Sequence, residues 1–209
     1  MDDSSKYDWP GWELKKNKYG DEFDLNARKR MVKNSELLLP LIKKYKSKLG
    51  KNILEIGPFF NPLITPTRFP NKNVYYLEND KSVCNFSETE YGKKINVIRK
   101  NINKLAESYF EKQNLSFNSV IISQTINYVD YKKLIKILKN SLDKDSLIFI
   151  NNTANYGVPQ LFSEKRPKNN IELINFLEEN SFNIVELKKL TFIHKNKKYE
   201  RLLIVAKKE

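Results

Sequence analysis

From residue 50 onward, short apolar runs alternate with amphipathic stretches, and the alternation predicts strand, helix, strand in repeating order. Ile53–Ile56, Val74–Leu77, Val97–Ile98, Val120–Ile122 and Leu147–Ile150 have the continuous apolar character of strands covered on both faces. Between the last two, Leu134, Ile137, Leu138 and Leu142 recur at helical spacing behind Lys132, Lys133 and Lys136. Ile171, Ile174 and Leu177 repeat that helical pattern over residues 170–180. The tail departs from the rhythm: FNIVELKKLTFIH and YERLLIVAKK are strand-like runs joined only by Lys195 to Lys198. So short a link closes an antiparallel hairpin, whereas a parallel crossover needs about a dozen residues or more. The predicted class is therefore α/β, with a seven-stranded, mostly parallel sheet, a C-terminal antiparallel hairpin and helices on both faces.

Ahead of this region, residues 1–24 are polar and aromatic, and Trp9-Pro10-Gly11-Trp12 and Tyr19-Gly20 interrupt any long helix. From Leu25 to Leu49 the pattern is helical, with Leu37, Leu38, Leu41 and Ile42 on one side and lysines on the other. Pro40 either starts a new helix there or kinks the one in progress. The chain thus divides into an N-terminal aromatic and helical segment, 1–49, and an α/β domain, 50–209.

Composition narrows the picture. A chain of 209 residues with 40% hydrophobic positions is long enough for one substantial domain, and no apolar stretch approaches a membrane span. The start, MDDSSKYDWPGW, has neither the basic nor the apolar part of a secretory signal. One cysteine, Cys84, excludes an internal disulfide framework and suits a reducing, cytoplasmic location. With a single histidine, His194, a zinc site of Cys/His type is excluded as well, and no metal is expected. The net charge of +13 would ordinarily suggest a nucleic-acid partner. However, lysines run from end to end, often beside acids as in Asp143-Lys144-Asp145, and the joint abundance of Lys, Asn and Ile is what AT-rich coding produces. Only residues 15–51 are locally concentrated (Lys15, Lys16, Lys18, Arg28, Lys29, Arg30 and Lys33 among them), which reads as a solvated helix face or an RNA-binding run.

The stretch NILEIGPFFNP, residues 52–62, carries the chemistry. In an open parallel sheet, ligands bind beyond the carboxyl ends of the strands, so the loop after the first strand meets them. Leu54-Glu55-Ile56-Gly57-Pro58, the acid Glu78 ending the second strand and the closing hairpin together resemble class I, Rossmann-like, S-adenosylmethionine-dependent methyltransferases. The resemblance covers roughly residues 50–209. It implies a cofactor loop of the form E/D-x-G-x-G-x-G, of which only the first glycine is present here. Phe59 stands at the second glycine position and Asn61 at the third. Asn61 tolerates left-handed backbone geometry, while the ring of Phe59 would have to form a wall of the pocket.

By the same resemblance, Glu55 holds the cofactor's ammonium directly or through water, the alternative being a carboxylate satisfied by loop amides. Glu78, with Asn79 beside it, accepts from both ribose hydroxyls, and Asp80 takes that role if the strand runs longer. Asn101 and Ile102 fall at the adenine contact, and Gln124 lines the cofactor side of the loop after the fourth strand. Asn127 and Tyr128 are candidates for catalysis and substrate orientation, or else a helix cap and a packed aromatic. The loop Asn151-Asn152-Thr153-Ala154-Asn155-Tyr156-Gly157 opens on the same rim, where Asn155 and Tyr156 are candidates for substrate binding or ordinary turn material. His194 is a candidate general base, or an exposed hairpin residue. Trp12 and Tyr19, with Trp9, form a lid over the substrate or anchor the N-terminal segment. The implied reaction is in-line displacement: an acceptor lone pair takes the sulfonium methyl and S-adenosylhomocysteine leaves. A small biosynthetic molecule is the expected acceptor. RNA, held by the basic N-terminal run, and a non-catalytic binding protein with an altered loop are the alternatives.

Overall fold

The computed structural model describes Trp9 and residues 25–154, 165–194 and 196–209, with His194 described by its backbone alone. Helices α1 (Leu25–Glu36) and α2 (Leu39–Lys44) precede strand β1 (Asn52–Ile56). Then follow β2 (Asn73–Glu78), α3 (Lys81–Tyr91), β3 (Ile95–Arg99), α4 (Tyr109–Lys112), β4 (Phe117–Ser123) and α5 (Tyr131–Ser141). The chain ends with β5 (Leu142–Thr153), α6 (Asn170–Glu179), β6 (Phe182–His194) and β7 (Lys197–Lys208). All seven strands form one sheet in the order β3-β2-β1-β4-β5-β7-β6. The pairs among β1 to β5 are parallel, and β7 runs antiparallel to both β5 and β6. The hairpin is tighter than the sequence suggests, because His194 already pairs with Lys197.

Local chemistry explains where the elements start. Pro40 sits in the first turn of α2, where its missing N–H has no partner to lose, so it opens a new helix. Asp130 caps α5 by accepting from the Lys133 amide, and Asn169 caps α6 by accepting from the Glu172 amide. Period-two alternation in the strands then sorts the core. Leu54, Ile56, Val120, Ile122, Ile148 and Ile150 face α5 and α6, meeting Leu134, Leu138, Leu173 and Leu177. Ile53, Val74, Tyr76, Ile121 and Phe149 face the other way, against Leu38, Leu41 and Ile42 of the α2 region. A third, smaller cluster joins Trp9, Val32, Phe60 and Val83, with Phe59 and Phe86 packed against it. No helix among the described residues is long and apolar enough to cross a membrane.

Candidate active site

The strand order reverses direction between β1 and β4: the chain builds outward through β2 and β3 on one side and through β5 on the other. A crevice therefore opens beyond the carboxyl ends of β1 and β4. Gly57 leaves β1 with φ +62°, and its amide donates to the Leu77 carbonyl at 2.9 Å. A Cβ at Gly57 would lie 2.5 Å from the Thr125 Oγ1 atom, so the second residue past β4 closes directly onto the residue after β1. The Thr125 hydroxyl donates to the Ile56 carbonyl at 3.0 Å, with the Ser123 carbonyl at 3.3 Å as the alternative acceptor.

Phe59, and not Asn61, is the left-handed residue of this loop, with φ +53°. A side chain in that conformation costs about 1–2 kcal/mol. The ring recovers it by meeting Trp9 edge-on at 5.3 Å and Phe60 at 4.9 Å, pairs typically worth about 0.5–1.5 kcal/mol each. The second glycine position of the loop thus keeps glycine-like backbone geometry, and its ring packs against Trp9 and Phe60. Trp9, nearly fully buried, stacks on Phe60 at 5.4 Å. Pro58 between the two left-handed residues is buried.

Glu55 is turned toward its own loop. Its buried carboxylate accepts from the Leu63 amide at 2.9 and 3.0 Å and from the Ile64 amide at 2.9 Å. The loop-amide arrangement is the one present, and the acid fixes the path of residues 57–64. Burial pushes this carboxyl up to about 7, against the pull of the Leu63 and Ile64 amides and of Arg68. A raised folded-state value means stability is fully present below the ordinary carboxyl range and is lost as pH rises through about 7. Glu55→Gln is expected to flatten the dependence of melting temperature on pH between about 4.5 and 7, and an unchanged pH profile would remove Glu55 as its source.

Glu78 ends β2 largely buried, and its Oε1 accepts from the amides of Asn79 (2.7 Å) and Asp80 (2.9 Å). β2 stops at Glu78, so the longer strand that would put Asp80 in the ribose-binding role is not formed. The Asp80 Oδ1 caps α3, accepting from the amides of Ser82 at 3.0 Å and Val83 at 3.2 Å and from the Ser82 hydroxyl at 2.7 Å. Cys84 is buried beneath this turn, its thiol pushed up to about 11 by burial first and by Glu78 next, so it is an inert packing residue. Beyond β3, the Asn101 Oδ1 accepts from the Asn103 amide at 2.9 Å, capping a short turn, and the Ile102 side chain enters the core. Gln124 is also left-handed, φ +62°, and its amide donates to Ser35 Oγ at 3.0 Å, so it is turned toward the end of α1. Asn151 makes the matching link, donating to the Asn34 carbonyl at 2.7 Å.

Asn127 is no helix cap: it lies inside the turn Thr125–Tyr128, and its Nδ2 donates to the Thr153 carbonyl at 2.7 Å. Tyr128 is 42% exposed at the rim, so it is not a packed aromatic. His194 is not brought to these residues. Leu190 pairs with Arg201, which pairs with Thr153, so His194 lies four residues past the level of Thr153. Strand spacing alone sets it three strands, about 14 Å, from β4. Trp12, Tyr19, Asn155 and Tyr156 lie outside the described residues. Thr125 is the residue that the sequence reading passed over, although it sits between Gln124 and Asn127 in a stretch read residue by residue.

No protein-family model matches the chain, and comparison with curated proteins finds no match. Solved structures do match. Magnesium protoporphyrin IX methyltransferase from Synechocystis PCC 6803, with bound SAM, aligns over 100% of this chain and 98% of its own at 14% identity and TM-score 0.65. The N-methyltransferase NodS from Bradyrhizobium japonicum, in complex with S-adenosylhomocysteine, aligns over 87% of each chain at 12% identity and TM-score 0.60. Geranyl diphosphate C-methyltransferase from Streptomyces coelicolor covers 81% of this chain and 78% of its own at 11% identity and TM-score 0.60. The fold is that of the class I S-adenosylmethionine-dependent methyltransferases, with the predicted seven-stranded sheet and closing hairpin.

Proposed function

We propose that the chain is an S-adenosylmethionine-dependent methyltransferase acting on a small molecule. The observation that carries this reading is the loop after β1: Gly57 and Phe59 are both left-handed, so the backbone keeps the shape of a glycine-rich cofactor loop where the second glycine is missing. The residues present fit the cofactor. Asn61 Nδ2 is a buried donor with no acceptor, which a carboxylate would satisfy. Glu78 would accept from the ribose hydroxyls, and Asn101 with the Ile102 backbone would border the adenine. The chemistry supplied by S-adenosylmethionine is an electrophilic sulfonium methyl. The protein's own part is to orient the acceptor with Asn127 and Tyr128 and to exclude water. A small acceptor is supported by the ties that hold α1 against the last residues of β4 and β5, Gln124–Ser35 and Asn151–Asn34.

Calorimetry with S-adenosylmethionine and S-adenosylhomocysteine tests the reading. Binding in the micromolar range is expected, and Glu78→Ala should weaken it by about 1.5–3 kcal/mol, the worth of hydrogen bonds to a charged acceptor. Asp80→Ala should leave affinity intact and cost about 0.5–2 kcal/mol of stability, the loss of a helix cap. Binding of neither compound by the wild type would sink the methyltransferase reading in favour of a non-catalytic protein. RNA should associate only weakly and salt-sensitively. Neutralising Arg28, Lys29, Arg30 and Lys33 would flatten the salt slope by nearly one unit per lost phosphate contact if RNA were the substrate.

A further inference from the structure

We propose that the end of β5 beneath α6 is an amide-recognising subsite of the acceptor pocket, with Asn152 and Asn170 as its specificity-determining residues; the word acceptor rests on the methyltransferase reading. Along β5, Ile148 and Ile150 face the cluster beneath α5 and α6, and period-two alternation puts Asn152 next on that face, opposite Leu202 of β7. Leu202 belongs to the same apolar cluster. An apolar side chain is what such a position ordinarily takes. Asn152 is instead 0% exposed, and neither its Oδ1 nor its Nδ2 has a hydrogen-bond partner.

A second asparagine lies against the same stretch of β7. Asn170, in the first turn of α6, donates through Nδ2 to the Glu200 carbonyl (3.2 Å) and to the Glu200 carboxylate (3.1 Å), while its buried Oδ1 has no partner. Glu200 lies two residues before Leu202, so both asparagines meet one short stretch of β7. On the near side, Asn127 donates to the carbonyl of Thr153, the residue after Asn152, fixing the wall toward the crevice. Buried amides without partners are rare and unfavourable in folded proteins, and each calls for a ligand, a water or a strained role.

The unsatisfied atoms define the complement. Asn152 offers one donor side and one acceptor, and Asn170 offers a further acceptor. A group carrying N–H beside C=O satisfies both sides of Asn152, as a carboxamide, a lactam or the edge of a nucleobase does, and a second N–H, as in a carboxamide or uracil, would serve the Asn170 Oδ1 as well. A group that only accepts, such as an ester or a carboxylate, leaves both Oδ1 atoms unpaired. The subsite therefore selects acceptors bearing an amide-like edge.

The experiment uses the full chain, nitrogen-15 labelled and saturated with S-adenosylhomocysteine, titrated with 2-pyrrolidinone, with uracil and with N-methylpyrrolidinone, which lacks the N–H. Saturable shifts of the Asn152 and Asn170 side-chain amide resonances are expected with the first two, the tighter one identifying a lactam-like or a base-like edge. N-methylpyrrolidinone should bind at least tenfold more weakly. Asn152→Leu should lose the lactam at least tenfold with an unchanged or higher melting temperature, because leucine replaces an unpartnered amide in apolar surroundings. Should that variant fail to fold, Asn170→Ala carries the same comparison. Equal binding of the two pyrrolidinones, or no binding of either with long-lived water contacts at the Asn152 amide, overturns the proposal and makes these residues hydrated structural groups. Binding of S-adenosylhomocysteine in the same sample reports the methyltransferase reading separately.

Discussion

Gly57→Ala is expected to destabilise the protein by about 2–5 kcal/mol and to abolish measurable S-adenosylmethionine binding. The figure joins about 1–2 kcal/mol for a Cβ in left-handed geometry with about 1–3 kcal/mol for overpacking. The overpacking is specific. The added Cβ would stand 2.5 Å from Thr125 Oγ1, 2.9 Å from its Cγ2 and 3.3 Å from its Cβ, so the Thr125 side chain, which donates to the Ile56 carbonyl, must give way. The double variant Gly57→Ala/Thr125→Ala removes the two nearest atoms. It should recover the steric part but not the backbone part, leaving about 1–2 kcal/mol. Denaturant melts of the two single variants and the double variant measure the coupling directly. Strict additivity would mean that Gly57 and Thr125 do not meet, and the closure of the two loops would have to be abandoned.

The contrast between that contact and the rest of the molecule shows what a sequence holds. Ile53–Ile56 and Leu147–Ile150 could be read as strands because burial on both faces demands an unbroken apolar run, and the tail could be read as a hairpin because its link is too short for a crossover. The position of Glu78 was legible for a similar reason, because the apolar run Val74–Leu77 ends on it, and β2 does end there. Asp80 stands two residues away with the same chemistry, yet its Oδ1 accepts from the amides of Ser82 and Val83. Only the start of α3, KSVCNFSETEY, decides between them, and the apolar pattern did not mark that helix. Glu55 shows the same limit. A carboxylate ending a strand is visible in the sequence, but which amides it accepts from depends on residues 57–64 folding back over it. Phe59 is the sharpest case, since left-handed geometry at a phenylalanine follows from a tryptophan fifty residues earlier in the chain.

That dependence sets the other large expected effect. Phe60 is nearly fully buried, stacked at 5.4 Å on Trp9 and edge-on at 5.4 Å to Phe86 of α3. Phe60→Ala should therefore cost about 3–5 kcal/mol, as for other buried phenylalanines. For a chain of this size that lowers the melting temperature by roughly 6–20 °C. Cofactor affinity of the folded fraction should change little, because the left-handed residues that shape the loop are its neighbours Gly57 and Phe59. Phe59→Gly should behave oppositely. It loses a half-buried ring but also relieves about 1–2 kcal/mol of backbone cost, so stability moves little. The freed loop then samples more conformations before binding, and affinity falls modestly. Trp9→Ala separates the two effects further: it removes the surface on which both rings rest, and should reproduce the instability of Phe60→Ala together with the weaker binding of Phe59→Gly. Paired thermal melts and calorimetry on the three variants give the signatures. If Phe59→Gly destabilises the fold while binding is untouched, the left-handed turn serves packing alone, and the loop after β1 does not meet the cofactor.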